Sequence, residues 1–466
     1  MSARTAIIAG LALAFAAVSG PARADFVSDY QAYLGKGQTE AAAAHAGARL
    51  SEMPGDAQAQ FALGTAQFLL AVEHLGQGLH RYGLRSEYDA SLGGLSGLPF
   101  LRLPVPPNPE PQQVTYEGLR GVLARFVEDL SAAEATLAGI PDVPVDLPLD
   151  PALIRLDLNG DGIGSEEERF LRLFAAVSGG GGAGLETLPV DLDESDVPWL
   201  QAYCHLLMAM AEFPLAHDWE AAFDATFHNL FPDSELPSSE IAAEVAQLRK
   251  QLGGQRPPYP TAPEKPKDMS YPDWWESPEY QAYLNSPEYQ RYQEFRKAEE
   301  AMEIGAIADL IAFIHLFNWP VVEPDRMANV RTHFLSMVAL SRESWRRIAL
   351  ETDNRNEWIP KPVDQTGVFA RMRVTSERVE GWNLFLDEFE AVLTGERLIP
   401  HWRFLDRGVN LRRMFEEPRT FDPVLIAQGS AVLPYLEEGE MVTGDTVEEV
   451  SRLMGRGFFA YFVWFN

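Results

Sequence analysis

The chain has 466 residues, 46 % hydrophobic and 23 % charged, and its 68 acidic against 38 basic residues give a formal net charge of -30. At roughly 100–200 residues per domain this leaves room for two or three domains or one extended helical array, with ample apolar material for a core. The charge excludes nucleic acid and anionic membrane surfaces, both of which select a basic footprint, and favours cations or cationic partners. The single cysteine, Cys204, excludes an intrachain disulfide framework.

Residues 1–24, MSARTAIIAGLALAFAAVSGPARA, join a positive Arg4, an apolar run from Ala6 to Val18 and an Ala22-Arg23-Ala24 cleavage pattern. They read as a signal peptide cleaved after Ala24, because the run is shorter than the about 20 apolar residues of a membrane span. The mature protein is therefore expected to be periplasmic or secreted, with no membrane span.

Residues 25–98 alternate Ala-rich helical runs with short breaks. In PGDAQAQFALGTAQF (54–68), Pro54 closes one helix, and Ala57, Ala59, Phe61, Leu63 and Gly64 fall at packing offsets in the next. This stretch resembles a tetratricopeptide-type repeat over about one and a half units, with Gln67 where a tyrosine is usual. The resemblance implies helices stacked in hairpins; an ordinary helical hairpin satisfies the same pattern.

The proline-rich run 99–113 is expected to be an extended connector. In the helical region 114–252, Leu119, Val122, Leu123, Phe126, Leu130 and Leu137 mark an amphipathic helix stopped by Gly139 and Pro141. SGGGGAG (178–184) reads as a flexible linker, since Leu185-Glu186 stand where a phosphate loop needs Lys and Ser or Thr. WLQAYCHLLMAMAEF reads as a buried helix in which Cys204 is a small apolar core residue.

A second proline-rich linker, 253–268, precedes a C-terminal helical region, 269–466, that opens with the tandem repeat SPEYQAYLN (277–285) and SPEYQRYQE (286–294). Each copy starts with Ser-Pro, the chemistry of a helix start. Its tyrosines, with Trp274 and Trp275, either pack a helix against its neighbours or form a platform for a sugar or a protein partner; packing is the commoner use. A helix is expected over 375–395, and LIPHWRF and GFFAYFVWF are short strands or buried termini. The fold class is mainly α and multi-helical, repeat-like near the N-terminus, with minor β near the C-terminus.

One stretch places residue types at the offsets of a specific chemistry. In DLNGDGIGSEEE (157–168), Ca²⁺, which takes 6–8 oxygen ligands, would be met by Asp157, Asn159, Asp161, the Ile163 carbonyl, Ser165 through water and a bidentate Glu168. Gly162 occupies the sixth position, where the turn is sharp. The stretch resembles an EF-hand loop and fits its pattern completely. Two departures point away from a switch. Gly164 stands where a branched apolar residue would pair with a sister loop, and DLDESDVPW (191–199) fails as that sister, carrying Asp196 for the glycine and Ala202 for the closing Glu. It reads instead as a helix start with Ser195 or Asp196 as cap. DPALIRL allows less than two helical turns before the loop, so one calcium ion acting as a static clip is expected rather than a sensor.

No zinc-type histidine spacing and no nucleophile elbow is present. His205, His217, His228 and His315 fall in largely apolar helical runs and are expected as core histidines. Paired carboxylates remain open, with Glu343, Asp353 and Glu357 as candidates; Glu343-Ser344 resembles the helix-borne Glu-Ser pair of lytic transglycosylases, but Trp345-Arg346-Arg347 continues no such pattern. The expected function is an exported, acidic, calcium-binding helical protein that engages a protein partner without catalysis. The alternative is an extracytoplasmic glycan-active hydrolase or lyase that calcium stabilises.

Overall fold

The computed structural model describes residues 20–85, 101, 103–178, 184–369, 373–455 and 458–466. Residues 1–19 of the expected signal peptide, 86–100 and 179–183 of the glycine run therefore lie outside the described residues. The protein is mainly helical, with small antiparallel sheets.

Helices α1 (Gly20–Leu34), α2 (Thr39–Glu52) and α3 (Ala57–Arg81) follow one another with short breaks. Asp56 caps α3 by accepting from the Ala59 N–H at 3.1 Å. Gly64 does allow a close approach, but to the helix that follows. A Cβ there would lie 2.6 Å from Leu137 Cδ2 of α4 (Tyr116–Ala138), which Thr115 caps and Gly139 ends. Beyond α4, β1 (Asp146–Leu149) and β2 (Val190–Asp193) pair antiparallel, with α5 (Phe170–Ser178) between them in sequence. This two-stranded sheet was not expected; four residues per strand leave too little alternation to read.

The central helix α6 (Asp196–Ala216) is apolar on nearly every face and correspondingly buried, Cys204 included. It is followed by α7 (Glu220–Thr226) and α8 (Ser239–Leu252). Then come α9 (Tyr271–Glu276), α10 (Pro278–Leu284) and the long α11 (Pro287–Leu316). The tandem repeat does start two helices: Ser277 and Ser286 accept from the Tyr280 and Tyr289 N–H groups, each at 3.2 Å. Its aromatics mostly pack. Tyr283 packs between Tyr280 and Tyr289 with its ring tilted to both, the Tyr283 hydroxyl donates to Pro260 O at 3.0 Å, and Tyr259 meets Tyr292 edge-on. The proline-rich linker is thus laid along these helices.

Helix α12 (Pro324–Ile348) packs on α6, so that α3, α4, α6 and α12 form a consecutive layer around the core. Then follow α13 (Ser376–Thr394), β3 (Ile399–His401), β4 (Phe404–Val409), α14 (Leu411–Glu416), α15 (Pro423–Gln428), β5 (Leu436–Glu437), α16 (Gly444–Met454) and α17 (Phe458–Phe465). The expected C-terminal β is the sheet β3-β4-β5. GFFAYFVWF, in contrast, is a helix in its described part, with Trp464 and Phe465 fully buried. Its end is tied to α6, where the Trp199 Nε1 donates to Trp464 O at 2.9 Å and Asn466 Nδ2 to Trp199 O at 3.1 Å.

Candidate metal centre

The loop 157–168 is closed at its base by backbone pairing. The Leu156 N–H donates to Glu168 O and the Phe170 N–H to Ile154 O, both at 3.0 Å, and Arg155 faces Arg169 across an antiparallel bridge. Gly160 and Gly162 take φ of 76° and 83°, a left-handed conformation that glycine adopts without strain. The incoming arm is a turn at residues 151–153 rather than a helix, and only the outgoing side continues into one, α5.

Asp157 organises the loop. Its Oδ1 accepts from the N–H groups of Gly160 at 2.8 Å and Asp161 at 3.1 Å, and its Oδ2 from Gly162 at 2.9 Å. Asn159 Oδ1 accepts from Asp161 at 2.9 Å, and Asp161 Oδ1 from Ile163 at 2.8 Å. Glu168, fully buried, reaches back so that Oε1 accepts from Leu158 and Oε2 from Ser165, both at 2.9 Å. A carboxylate oxygen has two lone-pair directions, so Asp157 Oδ2, Asp161 Oδ1 and both Glu168 oxygens, with one N–H each, keep one direction for a cation, while Asp157 Oδ1 uses both on N–H groups. The Ile163 side chain points to solvent, 65 % exposed, which suits a residue expected to contribute only its carbonyl.

Two contacts that the sequence did not reveal seat this loop. On one side lies α3: Leu158 packs where Gly76 has no Cβ, Gln77 Nε2 donates to Asp157 O at 2.8 Å, and the Asp157 N–H donates to Glu73 Oε1 at 3.0 Å. Glu73 also accepts from the Thr39 hydroxyl at 2.5 Å, and burial lifts its carboxyl to about 7. On the other side lies the α1–α2 turn, where Gly164 donates to Lys36 O at 3.3 Å. A Cβ on Gly164 would stand 2.8 Å from Gly37 Cα and 2.7 Å from Arg155 Cβ. Position 8 of the loop is therefore a glycine because it meets backbone within its own chain, where a side chain has no room.

Among the described residues, the three acidic side chains whose carboxylate oxygens all lie within 4.8 Å of one another are not in the loop. They are Asp193, Glu351 and Glu357, a group that could hold a metal ion. Asp193 ends β2, and Glu351 and Glu357 lie on the segment after α12. Burial lifts Glu351 and Glu357 to about 7, raises Asp193, and raises the adjacent Asp196 well above the ordinary range. Glu351 Oε2 accepts from Gln365 Nε2 at 2.8 Å and Glu357 Oε1 from the Arg355 N–H at 2.7 Å. Asp193 and Glu351 border a cavity of about 470 Å³ that also carries Asp146, Asp353, Arg347 and Arg355 on its walls.

The remaining candidates separate cleanly. Arg346 and Arg347 each bind Glu343 at 2.7 Å and hold its carboxyl down to about 2, so it is a structural anion and does not border that cavity. Asp353 does border it, held below its ordinary range by Arg355. His205 and His333 share a bond between their Nδ1 atoms at 2.9 Å, and burial lowers both to about 4. His217 and His228 are buried with lowered pKa, as core histidines should be, whereas His315 stands exposed on α11. Comparisons of the chain with protein-family models, with curated proteins and with solved structures give no match.

Proposed function

We propose that this is an exported, acidic protein that binds one structural calcium ion in the 157–168 loop and works by presenting a helical surface to a partner protein. The observation that carries the interaction reading is a row on α11. Ile304, Ile307, Ile311 and Ile314 recur at helical spacing and are between 46 % and 62 % exposed. Contiguous apolar surface of this kind marks binding faces. Glu300 and Glu303 precede the row and the whole chain is strongly acidic, so the favoured partner is an apolar helix or groove with basic flanks. The test is capture from the exported fraction by the mature chain and by a double variant, Ile307→Glu with Ile311→Glu. A partner retained by the first and lost by the second, at unchanged circular dichroism, supports the reading; equal capture refutes it.

The acidic cavity favours a second reading, a glycan-active hydrolase. Asp353 is held ionised while neighbouring Glu351 is lifted to about 7, and two carboxyls with pKa values pushed apart are the pattern of an acid and base pair. This reading requires that release of reducing ends from a polysaccharide panel be lost in Glu351→Gln. No release by the wild type removes it.

A further inference from the structure

A further cavity, of about 420 Å³, opens between α1 with the turn that follows it, the end of β1, residues 150–155 and Arg169. Its volume falls in the range of small-molecule sites, about 300–1,000 Å³. In a chain of net charge -30, three cations border it, Lys36, Arg155 and Arg169, with Asp150 as the acidic residue among the described walls. Leu149, Leu153 and Ile154 supply apolar wall beside them. A cleft lined mainly by one sign of charge concentrates the opposite sign, so this cavity, unlike the acidic one, draws anions.

Its cations have donors to spare. Glu166, which does not border the cavity, takes Arg155 Nη2 at 3.1 Å on one oxygen and Arg169 Nε at 2.7 Å on the other, and so holds both guanidinium groups on one carboxylate. Those contacts use one nitrogen of each. The terminal nitrogens of Arg169 meet no acceptor among the described residues, although the side chain is only 21 % exposed, and neither is sealed from solvent. Lys36 Nζ, exposed at the rim, likewise makes no hydrogen bond or ion pair among the described residues. Asp150 does not absorb these donors, because its Oδ1 accepts from the Ala152 and Leu188 N–H groups at 3.0 and 2.8 Å. With Asp150 and Glu166 set against the three cations, one positive charge remains for a ligand to balance.

From these observations we infer that the cavity is a binding site for a small organic monoanion, a carboxylate on a short apolar body. Arg155, Arg169 and Lys36 take the carboxylate, since a guanidinium presents its N–H donors in a planar fork that matches that group. Leu149, Leu153 and Ile154 take the body, and each methylene buried against them adds up to about fourfold in affinity. The site uses neither the α11 row nor the ligand oxygens of the 157–168 loop, so it stands apart from the partner reading and from whether the loop holds calcium.

The probes are hexanoate, hexanamide, which keeps the shape without the charge, hexylamine, which is cationic at neutral pH, and acetate, which has the head without the body. Calorimetric titration of the mature chain is expected to show hexanoate binding about tenfold or more tighter than hexanamide or acetate, and no binding of hexylamine. The double variant Lys36→Gln with Arg155→Gln changes side chains outside the core, and at an unchanged circular dichroism spectrum it should lose the preference for hexanoate over hexanamide. Ser28→Trp, which fills the cavity from an exposed position on α1, should bind neither. Equal affinity for hexanoate and hexanamide in the wild type, a preference that survives in the double variant, or hexanoate binding undiminished in Ser28→Trp overturns the inference. So does no binding of hexanoate by the wild type.

Discussion

Replacing Glu168 by alanine separates two contributions that the loop geometry combines. The first needs no metal. Glu168 is fully buried and accepts from the Leu158 and Ser165 N–H groups, and a buried donor deprived of its acceptor costs about 1–3 kcal/mol, so the variant should lose about 2–6 kcal/mol even in EDTA. The second is linkage to calcium. Extracellular calcium modules bind at about 10⁻⁴–10⁻³ M, and at about 10 mM calcium the native state then gains about 1.4–2.7 kcal/mol. For 466 residues the unfolding entropy is about 1 kcal/mol per degree, which converts the linkage into a rise in Tm of about 1.5–3 °C. Differential scanning calorimetry with calcium and with EDTA reads both quantities. The wild-type Tm should rise by that amount with calcium; Glu168→Ala should melt lower and not respond. Glu357→Gln, which alters only the group of Asp193, Glu351 and Glu357, should respond like the wild type. A wild type indifferent to calcium refutes the assignment. A response retained in Glu168→Ala and lost in Glu357→Gln places the ion between Asp193, Glu351 and Glu357 instead.

Glu351 and Glu357 titrate near 7 in the folded protein against an ordinary 4.5. Between those values the folded state holds protons on these two groups that the unfolded state has released, so their contribution to stability should fall as pH rises from about 4.5 to about 7. Calcium-free Tm values at pH 5 and pH 8 check this: from pH 5 to pH 8 the wild type should lose more, or gain less, than the double variant Glu351→Gln with Glu357→Gln, since Glu73, His205 and His333 contribute to both alike. Gly164→Ala drives a methyl group into the Gly37 backbone, an overpacking that should cost about 1–3 kcal/mol, seen as a lower urea midpoint at unchanged slope. Cys204 is fully buried and its thiol is raised by burial, so a thiol reagent should fail to label the native protein and label it at once in denaturant; rapid native labelling would contradict the core assignment.

What could be read in the sequence was local. Asp56, Thr115, Ser277, Ser286 and Thr375 cap helices through bonds to residues three positions on, and such chemistry is written in neighbouring letters. The loop was legible for the same reason, its ligand positions lying within twelve consecutive residues. Its seat was not, because Glu73 and Asp157 meet across 84 positions and Gly164 finds Gly37 only once α1 and α2 have folded. The acidic cavity joins Asp193 to residues on the far side of α12, and nothing near Asp193 announces it. His315 shows the converse failure. An apolar period identifies the face of a helix but not whether anything covers it, and α11 leaves part of that face open. For GFFAYFVWF, an unbroken apolar run has neither the period of a strand nor that of a helix, and the choice is made by what α6 offers it.

These contacts also bear on how a cation in the loop would act. A calcium sensor works by changing the angle between an incoming and an outgoing helix, and here a turn at residues 151–153 replaces the incoming helix. The base is closed by the pairing of residues 154–156 with 168–170, position 8 is pressed against Gly37, and Leu158 is set against Gly76. Moving α5 would require these contacts to break together, which opposes a graded opening. The geometry therefore favours a tie between the α1–α2 turn, α3 and α5 over a hinge. Because Phe170 and Phe174 of α5 also line an apolar pocket together with Phe126, Trp199 and Trp358, what that tie secures is the position of two rings as much as the loop itself.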